Sequence, residues 1–128
     1  MRKQITAEKG AAPQGPYSPA IVTSGPTVYV SGQGPIDPDT GRMKAGSFRE
    51  QAELTFQNIT TLLEAAGTSW ANVVKVGVYL ADLSNFGEMN EIYKSYLSEP
   101  YPTRTTVQVG LPPNMAIEVD CIAIIPEG

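Results

Sequence analysis

The chain has 128 residues, of which 41% are hydrophobic and 17% charged, and this balance predicts one soluble globular domain spanning residues 1–128. It has no histidine and a single cysteine, so Ser-His-Asp and Cys-His chemistry are excluded and neither a metal site nor a disulfide is expected. Neither a signal peptide nor a membrane span is expected from the apolar pattern, and the net charge of −4 argues against nucleic acid as a partner. A cytoplasmic location is therefore expected.

The first part of the chain predicts short strands joined by turn-rich loops. Three strands are expected near residues 2–6, 20–24 and 27–31. The last two are separated by Gly25-Pro26, which favours a β-hairpin. Residues 10–19 are too rich in proline for a helix, and Tyr17 is the one large side chain there. Gly32-Gln33-Gly34 lacks the third glycine of a dinucleotide motif, so no nucleotide site is predicted.

The second part of the chain predicts two helices and three strands. Ser47 and Glu50 form a capping box for a helix over residues 47–66, and Gly67 ends it. Apolar residues recur along this helix at helical spacing. The elements predicted after it are a strand at 73–80, a helix at 85–97, and strands at 102–107 and 117–121. A cluster of turn-forming residues at 110–114 joins the last two strands, which predicts an antiparallel pair.

This order of elements predicts an α+β fold with one mixed β-sheet and two helices packed on one face. The other face of such a sheet is covered by nothing in the chain. Because that face carries alternating apolar and aromatic residues, we expect a homo-oligomer that packs sheet against sheet.

The last two strands collect polar side chains. Alternation places Arg104 and Thr106 on one face of the first strand, and Glu118 and Asp120 on one face of the second. If the chain reverses at Pro112, Arg104 faces Asp120 and Thr106 faces Glu118. The pattern leaves two interpretations open. Arg104 either forms a surface ion pair worth about 0–1 kcal/mol, or binds a ligand carboxylate with Thr106 as a second donor and Glu118 diagonally across.

Several motifs occur in order along nearly the whole chain: residues 15–20 (GPYSPA), 30–34 (VSGQG), 72–76 (NVVKV), 89–93 (MNEIY), 102–107 (PTRTTV) and 117–120 (IEVD). Together they closely resemble the Rid family, also called the YjgF family, of reactive intermediate deaminases. The resemblance implies a chorismate-mutase-like fold and a homotrimer with active sites between subunits. It also implies hydrolysis of 2-imino acids and enamines, such as 2-aminoacrylate, to 2-keto acids and ammonia without a cofactor or metal.

The resemblance assigns roles position by position. Arg104 matches the arginine that binds the substrate carboxylate, and Glu118 matches the glutamate that positions the attacking water. The other positions that match the substrate pocket are Tyr17, Ser31, Gly32, Asn90 and Thr106. Thr106 departs from the family pattern because many relatives carry cysteine there, so we expect an altered substrate range.

Two other functions remain open, and the first of them follows from relatives that are described as endoribonucleases or translation inhibitors. One is an RNA-directed role, which the acidic charge and the missing histidine argue against. The other is a non-catalytic trimer that binds small metabolites.

Overall fold

The computed structural model describes residues 1–127 and has the predicted order of elements. The strands and helices are β1 (Arg2–Ile5), β2 (Ala20–Thr23), β3 (Thr27–Gln33), α1 (Phe48–Ala65), β4 (Val73–Leu80), α2 (Phe86–Tyr96), β5 (Thr103–Gln108) and β6 (Ile117–Ile124). Short 3-10 turns at Trp70–Asn72 and Leu83–Asn85 precede β4 and α2.

Helix α1 begins and ends as its sequence predicts. The Ser47 hydroxyl accepts from the Glu50 backbone N–H, and the Glu50 carboxylate accepts from the Ser47 N–H, both at 3.1 Å. Gly67 follows the helix with a φ of +84°, a conformation that favours glycine. Phe56 is fully buried in the core, whereas Leu62, which the helical periodicity places among the buried residues, is 41% exposed.

The main sheet has four strands in the order β3-β6-β4-β5, and a separate two-stranded sheet joins β1 to β2. Two predicted pairings are therefore wrong. Strand β2 does not form a hairpin with β3, because β2 pairs with β1 and β3 pairs with β6. Strands β5 and β6 do not pair either, because β4 lies between them, parallel to β5 and antiparallel to β6.

The register of β4 overturns the predicted polar pairs. Arg104 lies beside Val76 and Thr106 beside Val78, whereas Glu118 lies beside Tyr79 and Asp120 beside Gly77. The predicted pairs of Arg104 with Asp120 and of Thr106 with Glu118 are therefore wrong. Successive residues of a strand point to opposite faces of the sheet, and partners in neighbouring strands share a face. Arg104 and Thr106 thus lie on one face of the sheet, and Glu118 and Asp120 lie on the other.

Both helices pack on the face that carries Val76 and Val78, which we call the helix-covered face. Its fully buried side chains form the core with the inner sides of the helices: Val76, Val78, Leu80, Ile117, Val119, Phe56, Ile59, Leu63, Met89 and Tyr93. The prediction of two helices against one face of a mixed sheet is confirmed.

The opposite face, which we call the open face, is uncovered. It presents Tyr29, which is 74% exposed, together with Lys75, Tyr79, Thr105 and Val107 around a depression of about 340 Å³. Neither helix of the described chain combines the length and apolar character needed to cross a membrane.

Candidate functional site

Arg104 lies on the helix-covered face of edge strand β5, next to helix α2. Its Nη1 donates a hydrogen bond of 2.7 Å to Oδ1 of Asn90 on that helix. Three aromatic rings surround the guanidinium, with ring centroids 4.8 Å (Tyr93), 5.7 Å (Phe86) and 5.9 Å (Tyr17) from Cζ. These distances are typical of cation–π contacts, which hold a guanidinium without neutralising it.

The guanidinium is partly buried and has no counterion in the described part of the chain. Among residues 1–127 it forms no salt bridge, and the bond to Asn90 is its one hydrogen bond. Burial lowers the pKa of Arg104, an effect that Tyr93 and Tyr17 partly oppose. An arginine nevertheless stays charged, with donors in a planar fork. The unused donors match a carboxylate, which an arginine can bind through two parallel hydrogen bonds.

The loop that carries Tyr17 is fixed against the start of β5. The Ser18 N–H donates to the Pro102 carbonyl at 2.9 Å, and the Ser18 hydroxyl donates to the Tyr101 carbonyl. The Gln14 N–H donates to the Tyr17 hydroxyl at 3.1 Å. Because Ser18 is buried at 1% exposure, its two hydrogen bonds are shielded from water. They hold Tyr17 in place beside Arg104.

Two hydroxyls near Arg104 are buried and unpaired within the described residues. They are Oγ1 of Thr106, two residues along β5, and Oη of Tyr93, under the guanidinium. Burial raises the pKa of Tyr93 far above its ordinary value, so this phenol stays protonated. The Thr106 hydroxyl is turned inward, although the residue as a whole is half-buried. In this orientation the Thr106 hydroxyl does not present a donor at the surface of the site.

A second group of predicted site residues meets on the open face. Strand β3 is irregular between Val30 and Gln33, where Ser31 and Gly32 leave the regular ladder with β6. Gly32 lies against Glu118 so closely that a Cβ atom there would overlap the carboxylate. Glycine at this position therefore provides the space that the Glu118 carboxylate occupies.

A similar arrangement follows on the next open-face position of β6. A Cβ atom on Gly77 would overlap the Asp120 carboxylate. The Tyr79 hydroxyl donates to Oδ2 of Asp120 at 2.9 Å. This hydrogen bond is the main reason that the pKa of Tyr79 is raised. Asp120 is thus occupied by a neighbour within its own chain and is not the partner of Arg104.

The predicted site residues therefore form two groups in one chain. Tyr17, Asn90, Arg104 and Thr106 lie on the helix-covered side, and Gly32 and Glu118 lie together on the open face, with Ser31 next to Gly32 in the irregular part of β3. The predicted approach of Glu118 to Arg104 within one chain is wrong, because the sheet separates them. No three acidic or cysteine side chains within residues 1–127 cluster as a metal site requires.

Sequence reasoning named Tyr17 and Asn90 but missed two further residues beside Arg104, Phe86 and Tyr93, and it missed Ser18, which holds the loop of Tyr17. The helical spacing of apolar residues over 85–97 predicts that Phe86 is buried, but its side chain is 39% exposed beside the guanidinium. Phe86, Asn90 and Tyr93 are spaced four and three residues apart, which puts them on one helix face. That spacing is a usable signal, since it brings one amide and two rings toward one partner. Ser18 carries no comparable signal.

Known proteins match this sequence over nearly its whole length. A family model described as Endoribonuclease L-PSP matches residues 8–125. A RutC family protein of Pyrococcus abyssi is 46% identical over 95% of this chain and 96% of its own length. A mouse protein named 2-iminobutanoate/2-iminopropanoate deaminase is 41% identical over 97% of this chain and 92% of its own.

Solved structures give the same result. RidA of an Antarctic Psychrobacter species is 46% identical, with a TM-score of 0.74 over 96% of this chain and 99% of that one. Escherichia coli TdcF, solved with bound serine, is 36% identical, with a TM-score of 0.71 over 95% of this chain and 98% of that one. The chain belongs to the Rid (YjgF) family, whose family model is described as Endoribonuclease L-PSP.

Proposed function

We propose that this protein hydrolyses 2-imino acids and their enamine tautomers, such as 2-aminoacrylate, to 2-keto acids and ammonia. The observation that carries this proposal is the state of Arg104. A partly buried guanidinium, held by three rings and one amide and without a counterion among the described residues, is arranged to receive a planar anion. Relatives named as imine deaminases, about 40% identical to this chain, support the reaction class.

In the proposed reaction Arg104 binds the carboxylate of the imino acid and thereby orients its C=N carbon. Asn90 fixes the guanidinium through the 2.7 Å hydrogen bond, and Tyr17 and Phe86 border the site. A water molecule attacks the imine carbon, and the nitrogen gains protons and leaves as ammonia. A protonated imine is strongly electrophilic, so orientation and a weak base can supply the required acceleration.

Glu118 is the proposed group that positions the water. Its carboxylate lies beside Gly32 on the open face, where it has no hydrogen-bond donor among residues 1–127 and is free to accept one from water. Because Arg104 of the same chain lies beyond the sheet, the working Glu118 must come from another copy. We therefore propose a cytoplasmic homotrimer in which the open face is covered by neighbouring subunits, with each site lying between two of them.

The test generates 2-aminoacrylate in situ and follows both its decay and the 2-keto acid formed. Arg104→Ala removes the two proposed charge-assisted hydrogen bonds to the substrate carboxylate, so kcat/KM is expected to fall roughly a hundredfold. Glu118→Gln is expected to lower kcat by roughly a hundredfold with little change in KM. Arg49→Ala is the matched control, because Arg49 pairs only with Glu88 and Glu91 on the surface of the helices.

Each alternative function predicts a different outcome. Wild-type activity in Arg104→Ala would refute the carboxylate-binding role, and full activity in Glu118→Gln would refute the role in positioning water. Binding of 2-oxobutanoate without turnover of any imine would favour the metabolite-binding trimer. Cleavage of RNA by the wild type but not by Arg104→Ala would favour a ribonuclease, whereas a contaminating nuclease would be unaffected by the substitution.

A further inference from the structure

Arg2, far from Arg104 in sequence, fastens strand β1 to the segment that leads into β5. Its Nη1 donates to the Ala71 carbonyl at 2.6 Å, and its Nη2 donates to the Pro100 carbonyl at 2.8 Å. Hydrogen bonds from a charged donor are stronger than those between neutral groups. The carbonyl of Pro100 lies only four residues before Arg104. A residue of the first strand thus holds one end of the segment that positions the candidate carboxylate-binding group.

The same segment also supports the ring under Arg104. The Tyr101 ring lies 6.5 Å from the Tyr93 ring, and the Tyr93 ring lies 4.8 Å from Cζ of Arg104. A continuous series of contacts therefore runs from Arg2 through the backbone at Pro100 to Tyr101, Tyr93 and Arg104. Side chains in such a packed series cannot move independently, because protein interiors contain little free volume.

Two polar atoms of the residues in this series are buried without a hydrogen-bond partner in the described chain. Nε of Arg2 and Oη of Tyr93 are both buried and have no partner within residues 1–127. The positive charges of Arg104 and Arg2 both oppose the rise that burial causes in the pKa of Tyr93. The phenol oxygen therefore lies in the field of both guanidinium groups. A buried unpaired hydroxyl usually destabilises a fold, and the attraction of its oxygen to two positive charges is a physical reason for tyrosine rather than phenylalanine at this position.

We propose that Arg2 is a positioning residue for Arg104, acting through Tyr93 and the segment from Pro100 to Pro102. This inference rests on the proposed function, in which Arg104 binds the substrate carboxylate. Removing Arg2 releases the Pro100 carbonyl and takes away one of the two positive charges that act on the Tyr93 hydroxyl. The Tyr93 ring then no longer holds the Arg104 guanidinium in its position, although neither Arg104 nor Asn90 has been substituted.

The experiment measures the Kd of 2-oxobutanoate by calorimetry, together with KM and kcat for an imino acid made in situ. We expect Arg2→Ala to raise Kd and KM roughly tenfold with little change in kcat, because the contact it disturbs binds substrate and transition state alike. Lys3→Ala is the matched control: it removes a neighbouring, exposed cation from the same strand and should change neither constant. Arg2→Lys should recover part of the affinity, because lysine keeps the positive charge but cannot donate to both carbonyls with the planar fork of arginine.

A purely structural role of Arg2 gives a different result. Partial unfolding lowers the concentration of active enzyme, so the apparent kcat falls while KM stays at the wild-type value, and this outcome would overturn the inference. If Arg2→Ala does not fold, the Kd of 2-oxobutanoate is compared between Arg2→Lys and the control Lys3→Ala. Equal affinities in these two variants would also overturn the inference. Tyr93→Phe adds a second test, since its effect on Kd should be much smaller in the Arg2→Ala background than in the wild type.

Failure of this inference and failure of the proposed function can be told apart with Arg104→Ala. Weak binding in Arg104→Ala and normal binding in Arg2→Ala would reject Arg2 alone. Normal binding in Arg104→Ala would reject the carboxylate-binding role and the inference that rests on it.

Discussion

The fit between Gly32 and Glu118 gives the sharpest prediction for the open face. In Gly32→Ala the new Cβ atom would lie 2.9 Å from Cδ and 3.2 Å from Cγ of Glu118, and it would overlap one carboxylate oxygen. The φ angle of Gly32 lies outside the left-handed region, so the backbone accepts alanine without strain. The carboxylate therefore has to move, while the backbone of β3 can stay.

The expected size of the effect follows from which atoms move. The displaced group is the end of a flexible side chain, so the free energy of unfolding should fall by no more than about 1 kcal/mol. A displacement of about 1 Å in a group that orients a reactant lowers the rate by roughly a hundredfold. We expect kcat to fall by that factor. The Kd of 2-oxobutanoate should stay near its wild-type value, because the methyl group points toward Glu118 and Arg104 is unchanged.

The assay follows imine decay and 2-keto acid formation in Gly32→Ala, in Glu118→Gln and in the double variant. Gly110→Ala is the control for an added methyl group, since a Cβ there meets no atom within 4 Å. The double variant should be no slower than Glu118→Gln alone, because both changes remove the same function. Wild-type kcat in Gly32→Ala would refute the claim that the position of this carboxylate matters.

Two further predictions concern stability. Burial raises the pKa of the Cys121 thiol from 9.0 to about 12, so the unfolded chain loses this proton first as the pH rises. Stability is therefore fully present below about pH 9 and declines between about pH 9 and 12, with a slope approaching 1.4 kcal/mol per pH unit. Urea unfolding at increasing pH should show this decline, with a smaller slope in Cys121→Ala. Ser47→Ala removes the cap of α1 and should lower the free energy of unfolding by about 1 kcal/mol, whereas Ser69→Ala, at a turn without a side-chain cap, should have less effect.

The helices were predictable because their signals are local. The capping box of Ser47 and Glu50, the apolar spacing along α1 and the glycine after it all act within a few residues of one another. The pairing of strands is not local. The turn residues at 110–114 reverse the chain direction in either case, whether β6 pairs directly with β5 or lies one strand further along the sheet. Strand β4 therefore lies between β5 and β6 without leaving a sign in either strand.

The site was predictable only in part, for the same reason. Alternation shows which side chains of one strand share a face, but it does not relate the faces of two strands that are not neighbours. Arg104 and Glu118 were therefore recognised as polar positions, while their separation by the sheet depended on register with β4. Phe86 was misassigned because an aromatic residue at helical spacing predicts burial. Here the ring contacts the guanidinium instead and remains partly exposed.

Because the sheet separates Arg104 from Glu118 in one chain, the proposed reaction requires a second copy of the chain, and such a copy could cover the open face. A partly buried cation without a counterion among residues 1–127 destabilises the isolated chain, and an exposed surface that carries Tyr29 and Val107 favours association. In the proposed oligomer a bound carboxylate would relieve the first cost, and a neighbouring copy would cover the exposed surface. If the same contact that covers the open face also brings Glu118 to Arg104 of another copy, assembly and the completion of the site are one event. Activity should then depend on protein concentration in the range where the oligomer dissociates.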